Sequence, residues 1–288
     1  MATWNGEKFV REQVSSINAQ IDITTKIYFS DDCSTDKTPE ILRKMGCYEQ
    51  NKGRVKYGSS ANNFLSLIKN VMVDTEVDYI ALSDQDDIWF PNKISVAVSK
   101  LSETDSDCYS GSYFIFRGNH KNASYKNKYF HNTGVEHFFR SPGPGFTFCF
   151  KRESFLKIQE VISKLNLNEL QIRWHDWLIF AISQRLKLKW YIDERAYSFY
   201  RQHNDNDTGQ AINLKGVLFR LRFLFFGDFN REVAKLGHIF PKSTIIESVR
   251  KFGLKDRIYL LKYCLKARSD AVGRLFFILW LILGKTND

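Results

Sequence analysis

The sequence predicts an α/β fold followed by a basic helical extension. Two short apolar segments each end at a group of aspartates, and segments with helical periodicity lie between and after them. Beyond about residue 212 the chain becomes both basic and apolar. With 288 residues, of which 43% are hydrophobic, the chain can bury a substantial core.

The first hundred residues alternate between helical and extended patterns. Phe9, Val14 and Ile17 have a roughly helical spacing, and Pro39 suits the first turn of a second helix. In chain order, the predicted elements are a helix over 7–20, a strand over 25–30, helices over 38–45 and 62–72, a strand over 78–82 and a helix over 92–101. Ligands bind at the carboxyl edge of such a sheet, so the aspartates that follow the strands mark the predicted site.

The middle of the chain continues this alternation. Strands are predicted over 113–117 and 146–150, the second after a Gly-Pro-Gly turn at 143–145. A helix over 176–185 and a strand over 188–192 complete the series. The predicted organisation is therefore one domain over 1–211 and a helical tail over 212–288.

Asp84, Asp86 and Asp87 form the first group of candidate site residues, in the segment Ser-Asp-Gln-Asp-Asp-Ile-Trp. Three carboxylates so close together repel one another, so a fold that holds them together needs a compensating cation. An Asp-x-Asp pair offers two hard oxygen ligands for Mg²⁺ or Mn²⁺, ions that keep coordination sites open for water and phosphate. The competing interpretation is a solvated acidic loop or a helix start with carboxylate caps.

Asp31 and Asp32 begin a second group, between a predicted strand and a predicted helix. Thr35 or Asp36 is explained equally well as a cap of that helix. Asp31 and Asp32 precede the turn and are harder to explain as caps. A carboxylate at this place can accept hydrogen bonds from a base N–H or a ribose hydroxyl.

Asp176 and the Tyr-Arg-Gln-His segment at 200–203 supply the remaining candidates. Asp176 lies among aromatic residues at a predicted helix start, where the environment can tune the pKa of a general base. A helix N-cap with aromatic core neighbours is the alternative. Arg201 and His203 together can hold a diphosphate, with His203 as a candidate additional metal ligand, whereas a solvated polar loop is the competing account.

The net charge of +10 is concentrated in the tail. From Lys215 to Asp288 the chain has 15 Lys and Arg against 6 Asp and Glu, and the first 214 residues are nearly neutral. A nucleic-acid-binding domain more often carries basic residues around its recognition elements, so no nucleic-acid partner is predicted. Basic residues beside very apolar segments favour an anionic membrane surface.

The tail shows this combination most clearly near its end. Four lysines and four aliphatic residues lie on two separate faces of one helical pattern, namely Lys251, Lys255, Lys262 and Lys266 against Leu254, Ile258, Leu261 and Leu265. The apolar run over 275–283 has nine residues, less than half of the roughly 20 that a helix needs to span a bilayer. We predict an interfacial location, with Arg220, Arg222 and the lysines toward anionic headgroups; packing on the first domain or on another subunit is the alternative.

The cysteines and the N-terminal segment indicate a cytoplasmic protein. The five cysteines form no CxxC pair and no metal-ligand spacing, so reduced thiols are expected. The residues after Met1 lack the basic stretch and apolar run of a signal peptide.

Five segments, in this order, resemble family 2 glycosyltransferases. They are MATWNGEKF at 1–9, SDDCSTDKT at 30–38, LSDQDDIWFPNK at 82–93, HDW at 175–177 and YRQH at 200–203. The likeness is strongest to bacterial rhamnosyltransferase-type members that build surface polysaccharides, and it extends over residues 1–210.

The resemblance implies a GT-A fold: a Rossmann-like mixed sheet flanked by helices, with a nucleotide-sugar half over 1–100 and an acceptor half over 101–211. It implies inverting transfer of rhamnose or a hexose from a nucleoside-diphosphate sugar to a saccharide acceptor in capsule, O-antigen or cell-wall synthesis. The first expected donor is dTDP-rhamnose and the second a UDP-sugar. The acceptor is expected to be polyprenyl-linked, and the enzyme to lie at the inner face of the plasma membrane.

The resemblance also assigns roles by position. Thr3, Asn5 and Asp32 match the family's nucleoside contacts, and Asp31 is adjacent to them.

Asp84 and Asp86 match the metal-binding DxD motif, with Asp86 as the expected direct ligand of Mn²⁺ or Mg²⁺ and Asp84 toward the ribose or the metal. Asp176 matches the catalytic base that takes a proton from the acceptor hydroxyl. The metal, with Arg201 or His203, is expected to stabilise the departing diphosphate.

Three positions depart from the family's pattern. A strand normally precedes the Ala-Thr-Trp-Asn segment, whereas Met1 here stands at its end, so a weakened nucleotide-side sheet is expected. Cys33 replaces the usual Gly of a turn, which raises the question of a positive φ there. Trp4 stands where Tyr is common and can still stack on a ring.

Two other functions fit parts of the sequence. A metal-dependent sugar nucleotidyltransferase also uses carboxylates on a Rossmann-like sheet, but it should carry a glycine-rich basic phosphate loop, and the Asn-Gly-Glu-Lys segment at 5–8 is a poor version of one. The other is a catalytically inactive, membrane-associated protein that binds nucleotide sugars.

Overall fold

The computed structural model describes residues 1–51, 55–203, 221–268 and 270–285, which form two compact units. The first unit comprises the described residues of Met1–Tyr129, Pro142–Asp176 and Leu186–Asp207, and the second those of Phe130–Ser141, Trp177–Arg185 and Thr208–Asp288. The predicted boundary between residues 211 and 212 lies outside the described residues. Two segments that precede this boundary belong to the second unit.

A small parallel sheet forms the N-terminal part of the first unit. Its strands are β1 (Ala2–Thr3), β2 (Tyr28–Asp31) and β3 (Tyr48–Glu49), in that spatial order. Helices α1 (Val10–Asn18) and α2 (Thr38–Lys44) connect them. Val14 and Ile17 of α1 are buried in a core that includes Phe29 and Leu42, as the helical spacing predicts, whereas Val10 takes the buried place expected for the half-buried Phe9.

A larger mixed sheet forms the rest of the β structure, as predicted for this fold class. Its strands are β4 (Tyr79–Ala81), β5 (Ile88–Trp89), β6 (Cys108–Arg117), β7 (Asn119–Lys126), β8 (Cys149–Lys151) and β9 (Trp190–Arg201). The order is β4–β8–β6–β9–β5, with β7 paired to β6. β6 and β9 are parallel, and the other pairs in this sheet are antiparallel.

Four further helices belong to the first unit: α3 (Ser60–Asn70), α4 (Lys93–Glu103), α5 (Arg152–Ser163) and α6 (Leu167–Leu170). Ser59 caps α3 by accepting a hydrogen bond from the Asn62 N–H at 3.2 Å. Helix α7 (His175–Arg185) begins one residue before its predicted start.

The strand predicted over 146–150 is only partly correct. Gly145–Thr147 form a 3₁₀ turn, and only Cys149–Lys151 are extended. The turn closes because the Thr147 N–H donates to the Pro144 carbonyl at 3.0 Å and the Phe148 N–H donates to the Gly145 carbonyl at 2.9 Å. The strand predicted over 188–192 starts two residues late and continues to Arg201.

The described part of the second unit is helical, in agreement with the predicted tail. It contains α8 (221–225), α9 (Asp228–Lys235), α10 (Thr244–Lys251), α11 (Leu254–Leu261), α12 (Cys264–Ala267) and α13 (Ala271–Leu283). Trp280 is fully buried, and its Nε1–H donates to Asn230 Oδ1 at 2.7 Å. Within the described ranges, no helix is sufficiently long and apolar to cross a bilayer.

The cysteines carry no disulfide. Cys47, Cys108, Cys149 and Cys264 are buried free thiols, and Cys33 is partly exposed.

Candidate active site

The carboxyl ends of β1 and β2 place Thr3 beside Asp31. The two residues are partners in the parallel register, and Thr3 Oγ1 donates to Asp31 Oδ1 at 2.8 Å. The Ser34 N–H donates to Asp31 Oδ2 at 2.7 Å, and Ser34 Oγ donates to Oδ1 at 2.6 Å. The Asn51 amide pairs with the Asp31 backbone at both N–H and C=O. Asp31 is therefore held in one orientation at the sheet edge.

Asp32 and Asn5 lie at the same edge, and each organises a neighbouring loop. The Asp32 carboxylate accepts hydrogen bonds from the backbone N–H groups of Tyr57 and Gly58, the latter at 2.9 Å. Asn5 Oδ1 accepts one from the Thr35 N–H at 2.8 Å. The fold therefore brings together the four residues that sequence assigns to the nucleoside, and each also has a structural partner.

Two residues of this region resolve questions raised by the sequence. Cys33 has a φ of 59°, so the turn keeps the left-handed conformation for which the family uses Gly, at a cost of about 1–2 kcal/mol. Asp36 accepts hydrogen bonds from the N–H and the hydroxyl of Thr38, and from the Glu7 N–H. Although burial raises the pKa of Asp36, these hydrogen bonds lower it overall. Asp36 thus stabilises the start of α2, as the capping interpretation predicts.

Gln85, the middle residue of the DxD motif, connects that motif to the N-terminal loop. Its Oε1 accepts from the Trp4 N–H at 2.9 Å, and its Nε2 donates to the Trp4 carbonyl at 2.9 Å. A Cβ atom on Gly6 would lie 2.3 Å from Gln85 Oε1, so only glycine leaves room for this pair. Sequence reasoning missed the contact, because residues 4 and 85 are joined only by the fold.

Asp86 lies beside Arg201 and His203 because β5 and β9 pair in antiparallel register. Ile88 is the partner of Phe199, so the residues before β5 lie beside the end of β9. His203 Nε2 is 2.7 Å from Asp86 Oδ2, and Arg201 Nε donates to the Asp86 carbonyl at 3.0 Å. Arg201 also forms an ion pair with Glu12. These contacts do not fit the solvated polar loop considered from sequence.

The Asp87 carboxylate lies in surroundings that disfavour its charged form. Its side chain is fully buried, and neither carboxylate oxygen makes a hydrogen bond. Burial, followed by the charges of Asp86 and Asp84, raises its pKa well above the usual value. Burial lowers the pKa of Lys93 to about 7, an effect that Asp87 and Asp84 partly oppose.

The residues around Asp86 fit a hard divalent cation. In the part of the chain that the structure describes, no three His, Cys, Asp or Glu side chains converge as a ready metal cage. Mg²⁺ and Mn²⁺ tolerate an incomplete set of protein ligands because they keep water and phosphate oxygens as the others. The buried Asp87 carboxylate, whose oxygens have no hydrogen bond, is the structural observation that favours a cation here, and Asp84, Asp86 and His203 supply suitable donor atoms.

Asp176 lies in the first turn of α7, one residue after the helix begins, and it is half-buried. The neighbouring His175 stacks on Phe64 with ring centroids 4.1 Å apart. His175 Nε2 is buried without a hydrogen bond, and burial lowers the pKa of this ring to about 3. His175 is therefore a neutral packing residue beside Asp176.

Helix α3 contacts both the edge of the small sheet and His175, the residue before Asp176. Asn63, the neighbour of Phe64, donates from Nδ2 to the Ser30 carbonyl at 2.9 Å and to the Thr3 carbonyl at 3.3 Å. One face of α3 thus contacts the ends of β1 and β2, and the next residue contacts the start of α7. Two consecutive residues of α3, Asn63 and Phe64, therefore contact the ends of β1 and β2 and the residue before Asp176.

Comparisons with known proteins agree with this arrangement. Residues 1–159 match the model of Glycosyl transferase family 2. The chain is 31% identical over 290 residues to the dTDP-rhamnosyl transferase RfbG of Shigella flexneri, and the match covers 98% of this chain and 99% of that protein.

Solved structures with the same fold include S. aureus TarS, residues 1–349. The complex with UDP has a TM-score of 0.54 at 15% identity, with 93% of this chain and 72% of that chain covered. The complex with UDP-GlcNAc has a TM-score of 0.52 at 15% identity, with 93% and 80% covered. These likenesses support the predicted GT-A fold. Because the family model matches more than half of the chain and RfbG matches nearly all of it, the chain belongs to glycosyl transferase family 2 and is a glycosyltransferase.

Proposed function

We propose that this enzyme transfers rhamnose from dTDP-rhamnose to a saccharide acceptor, with inversion at the anomeric carbon, during the synthesis of a bacterial surface polysaccharide. The observation that carries the proposal is the convergence of Asp86, Arg201 and His203 next to the nucleoside-type edge at Asp31. The relative named as a dTDP-rhamnosyl transferase supports the choice of donor. A UDP-sugar is the second candidate donor.

The nucleoside is proposed to bind at Thr3, Asn5, Asp31 and Asp32. Hydrogen bonds already fix the carboxylates of Asp31 and Asp32, so a base or ribose meets acceptors that need little reorganisation. Carboxylate oxygens accept more than one hydrogen bond each, so these protein contacts leave room for ligand donors. Trp4 is exposed at the same loop and offers a stacking face.

The diphosphate is proposed to bind where Asp84 and Asp86 would hold Mn²⁺ or Mg²⁺, with His203 as a further donor. A divalent cation in this position supplies positive charge that stabilises the leaving diphosphate. The Arg201 guanidinium is fixed by the Asp86 carbonyl and by Glu12, and it adds charge-assisted hydrogen bonds to phosphate oxygens. With this stabilisation, the leaving group needs no protein acid.

Asp176 is proposed as the general base. Its carboxylate takes the proton of the acceptor hydroxyl while the hydroxyl oxygen forms the new bond to the anomeric carbon. The bond from that carbon to the diphosphate oxygen breaks on the opposite face, which inverts the configuration. His175 is neutral and its Nε2 is buried, so it orients the helix start without competing for the proton.

The second unit is proposed to bind an anionic membrane surface, at the inner face of the plasma membrane where a polyprenyl-linked acceptor would be available. The predicted apolar face is divided between α11 and α12 and does not lie on one helix. Its four aliphatic side chains are exposed, with values of 76% for Leu254, 63% for Ile258, 50% for Leu261 and 70% for Leu265. The lysines of the predicted basic face are exposed as well.

Helix α13 extends this apolar surface. Arg257 of α11 donates to the carbonyls of Leu281 and Gly284, each at 2.7 Å, so the two helices pack side by side. Leu275 and Ile282 of α13 are also exposed. An exposed apolar face with basic residues around it matches the chemistry of an interfacial helix pair.

Vesicle co-sedimentation tests the membrane proposal. The triple variant Leu254→Ser, Ile258→Ser, Leu265→Ser should lose most of its binding to phosphatidylglycerol vesicles, whereas Met72→Ser, an exposed apolar residue of the first unit, should not. Pure phosphatidylcholine should bind the wild type weakly. Equal sedimentation of the triple variant would overturn the proposal, and dissociation of an oligomer in light scattering would assign the face to a second copy instead.

A panel of nucleotide sugars tests the donor. In the presence of Mn²⁺, dTDP-rhamnose should raise the melting temperature more than UDP-glucose, UDP-GlcNAc or GDP-mannose, since ligand at 100 times Kd stabilises by about 2.7 kcal/mol. A larger rise in melting temperature with a UDP-sugar would show that the donor is that sugar and not dTDP-rhamnose. Release of dTDP with an acceptor distinguishes a transferase from a nucleotidyltransferase, which would release pyrophosphate, and from an inactive binding protein, which would release neither.

A further inference from the structure

We propose that Lys93 is a positioning residue that couples the DxD side of the site to the loop that supports the catalytic base. The loop, residues 143–147, is called the support loop below. The inference depends on the proposed role of Asp176. It concerns a residue that contacts neither donor nor acceptor in the roles assigned above.

Lys93 is anchored on the DxD side. It is the first residue of α4 and is only 4% exposed, which is rare for a lysine. Its Nζ lies 3.3 Å from the ring centroid of Trp89 in β5, three residues after Asp86. A buried ammonium needs hydrogen-bond acceptors or an aromatic ring face, and Trp89 in β5 supplies the ring face.

The same ammonium also holds the support loop. Lys93 Nζ donates to the Phe146 carbonyl at 2.9 Å, a contact across 53 residues of sequence. The Phe146 ring stacks on Tyr200 with centroids 5.6 Å apart and nearly parallel planes. Tyr200 immediately precedes Arg201, so the loop contacts the diphosphate side through both its backbone and its ring.

The other end of the support loop packs against His175. A Cβ atom on Gly145 would lie 2.4 Å from His175 Nε2, so the loop backbone forms one wall of the pocket that holds this ring. Phe64 forms a second wall by stacking on the ring. His175 Nε2 has no hydrogen bond, so the Gly145 backbone and the Phe64 ring hold this side of the imidazole by packing.

The support loop is suited to transmit this constraint because it is internally bonded. Thr147 donates to the Pro144 carbonyl from both its N–H and its Oγ1, at 3.0 and 2.8 Å. Ser110 Oγ donates to the Pro142 carbonyl at 3.3 Å. A shift at the Phe146 carbonyl therefore moves Gly145 as well, and with it the wall of the His175 pocket.

A second role for Lys93 makes a different prediction. If its charge served only to balance Asp84 and Asp87, its removal would change the affinity for Mn²⁺ and for Mn²⁺-bound nucleotide. If it positions the base, its removal lowers the turnover number and leaves those affinities unchanged. Measurement of kcat and of the two affinities in the same variant therefore distinguishes the two roles.

The test uses Lys93→Met in the full chain, which keeps the volume and removes the ammonium. We expect kcat for transfer to fall by about 10- to 100-fold, because misplacement of a reacting group by about 1 Å costs this much. The Kd for Mn²⁺–dTDP, measured by calorimetry, should stay within threefold. Lys100→Met is the control: it lies on the same helix and is paired with Glu103 at the surface.

Gly145→Ala provides a second variant that leaves Lys93 intact and displaces His175 from the opposite end of the loop. We again expect kcat to fall while the Kd for Mn²⁺–dTDP stays within threefold. Unchanged kcat in either folded variant, or a loss of Mn²⁺–dTDP affinity that accounts for the loss of turnover, would overturn the inference. Wild type and Asp176→Asn are measured in parallel, so failure of the proposed base is recognised separately.

Discussion

Individual side chains of the candidate site hold the fold together, and we propose that the same side chains present acceptor atoms to a ligand. Asp31 and Asp32 fix loops through hydrogen bonds, and Asp86 contacts His203 and Arg201. Asp87, in contrast, is enclosed and lacks hydrogen bonds. At the scale of residues, Asp86 is therefore the best candidate for the direct metal ligand, whereas burial raises the pKa of Asp87 and so favours its neutral form.

The variant Asp86→Asn tests the assignment of Asp86 as the direct metal ligand. The amide keeps the size of the side chain and removes its charge, so Mn²⁺-dependent binding of dTDP should weaken and transfer should fall by about 100-fold or more. Calorimetry with and without Mn²⁺ measures the first effect, and release of dTDP the second. Asp78→Asn, an exposed carboxylate before β4, should behave as wild type. If Asp86→Asn still bound dTDP in a Mn²⁺-dependent manner, the metal would have to bind at other residues.

Several of these residues were accessible from sequence, but their partners were not. The DxD motif, the aspartates at 31–32 and the Arg-His pair were identified from residue type and order. Gln85 was passed over as the variable position of the motif, although its amide makes a two-point contact with Trp4. Trp4 follows a strand of one sheet and Gln85 lies between two strands of the other, so residue type alone does not show that they meet.

At the scale of elements, short strands determine where the site forms. β5 has only two residues, yet its pairing with β9 sets Asp86 against Arg201 and His203. A two-residue strand has no periodicity, so no sequence pattern could predict it. Helix α5 was also missed, although Phe155, Ile158 and Ile162 have the helical spacing and are all buried.

The connection between the N-terminal loop and the DxD segment can be measured as a coupling energy. Gly6→Ala should destabilise the protein by about 1–3 kcal/mol, because its Cβ would overlap Gln85 Oε1. Gln85→Ala should cost about 1 kcal/mol through its lost hydrogen bonds. In the double variant the overlap disappears, so the two costs should not add. Urea unfolding of all four proteins gives the coupling, and strictly additive costs would show that the two residues do not interact.

At the scale of the whole molecule, the sequence predicted the α/β class, the mixed sheet and the helical C-terminal part. The assignment of Phe130–Ser141 and Trp177–Arg185 to the second unit was not predicted, since these segments lie within the first domain in sequence order. Their membership depends on tertiary packing of aromatic residues, for example Phe130 against Phe180, and not on local pattern.

A buried histidine in the second unit makes stability depend on pH. His137 lies between Phe138 and Phe240, neither ring nitrogen has a hydrogen bond, and burial lowers its pKa from 6.5 to about 4. The unfolded chain binds a proton below pH 6.5 while the folded chain does not, so stability falls as the pH drops through this window. The loss at pH 5 is about 2 kcal/mol.

His137→Phe should remove this component, because phenylalanine does not titrate and suits the aromatic surroundings. The difference in unfolding free energy between pH 7.5 and pH 5 should then be about 2 kcal/mol smaller than in wild type. His131→Phe, at an exposed position, serves as the control and should leave the difference unchanged. An identical pH dependence in His137→Phe would show that this ring is not the titrating group.

The central claim is that a nucleotide-sugar site around Asp86 is joined to a catalytic base at Asp176. The most direct measurement is the rate of rhamnosyl transfer by Asp176→Asn, with Mn²⁺–dTDP affinity determined on the same sample. We expect transfer to fall by about 10²- to 10⁴-fold, the contribution of a general base, while the nucleotide binds as in wild type. Transfer at the wild-type rate by the folded variant would contradict the account.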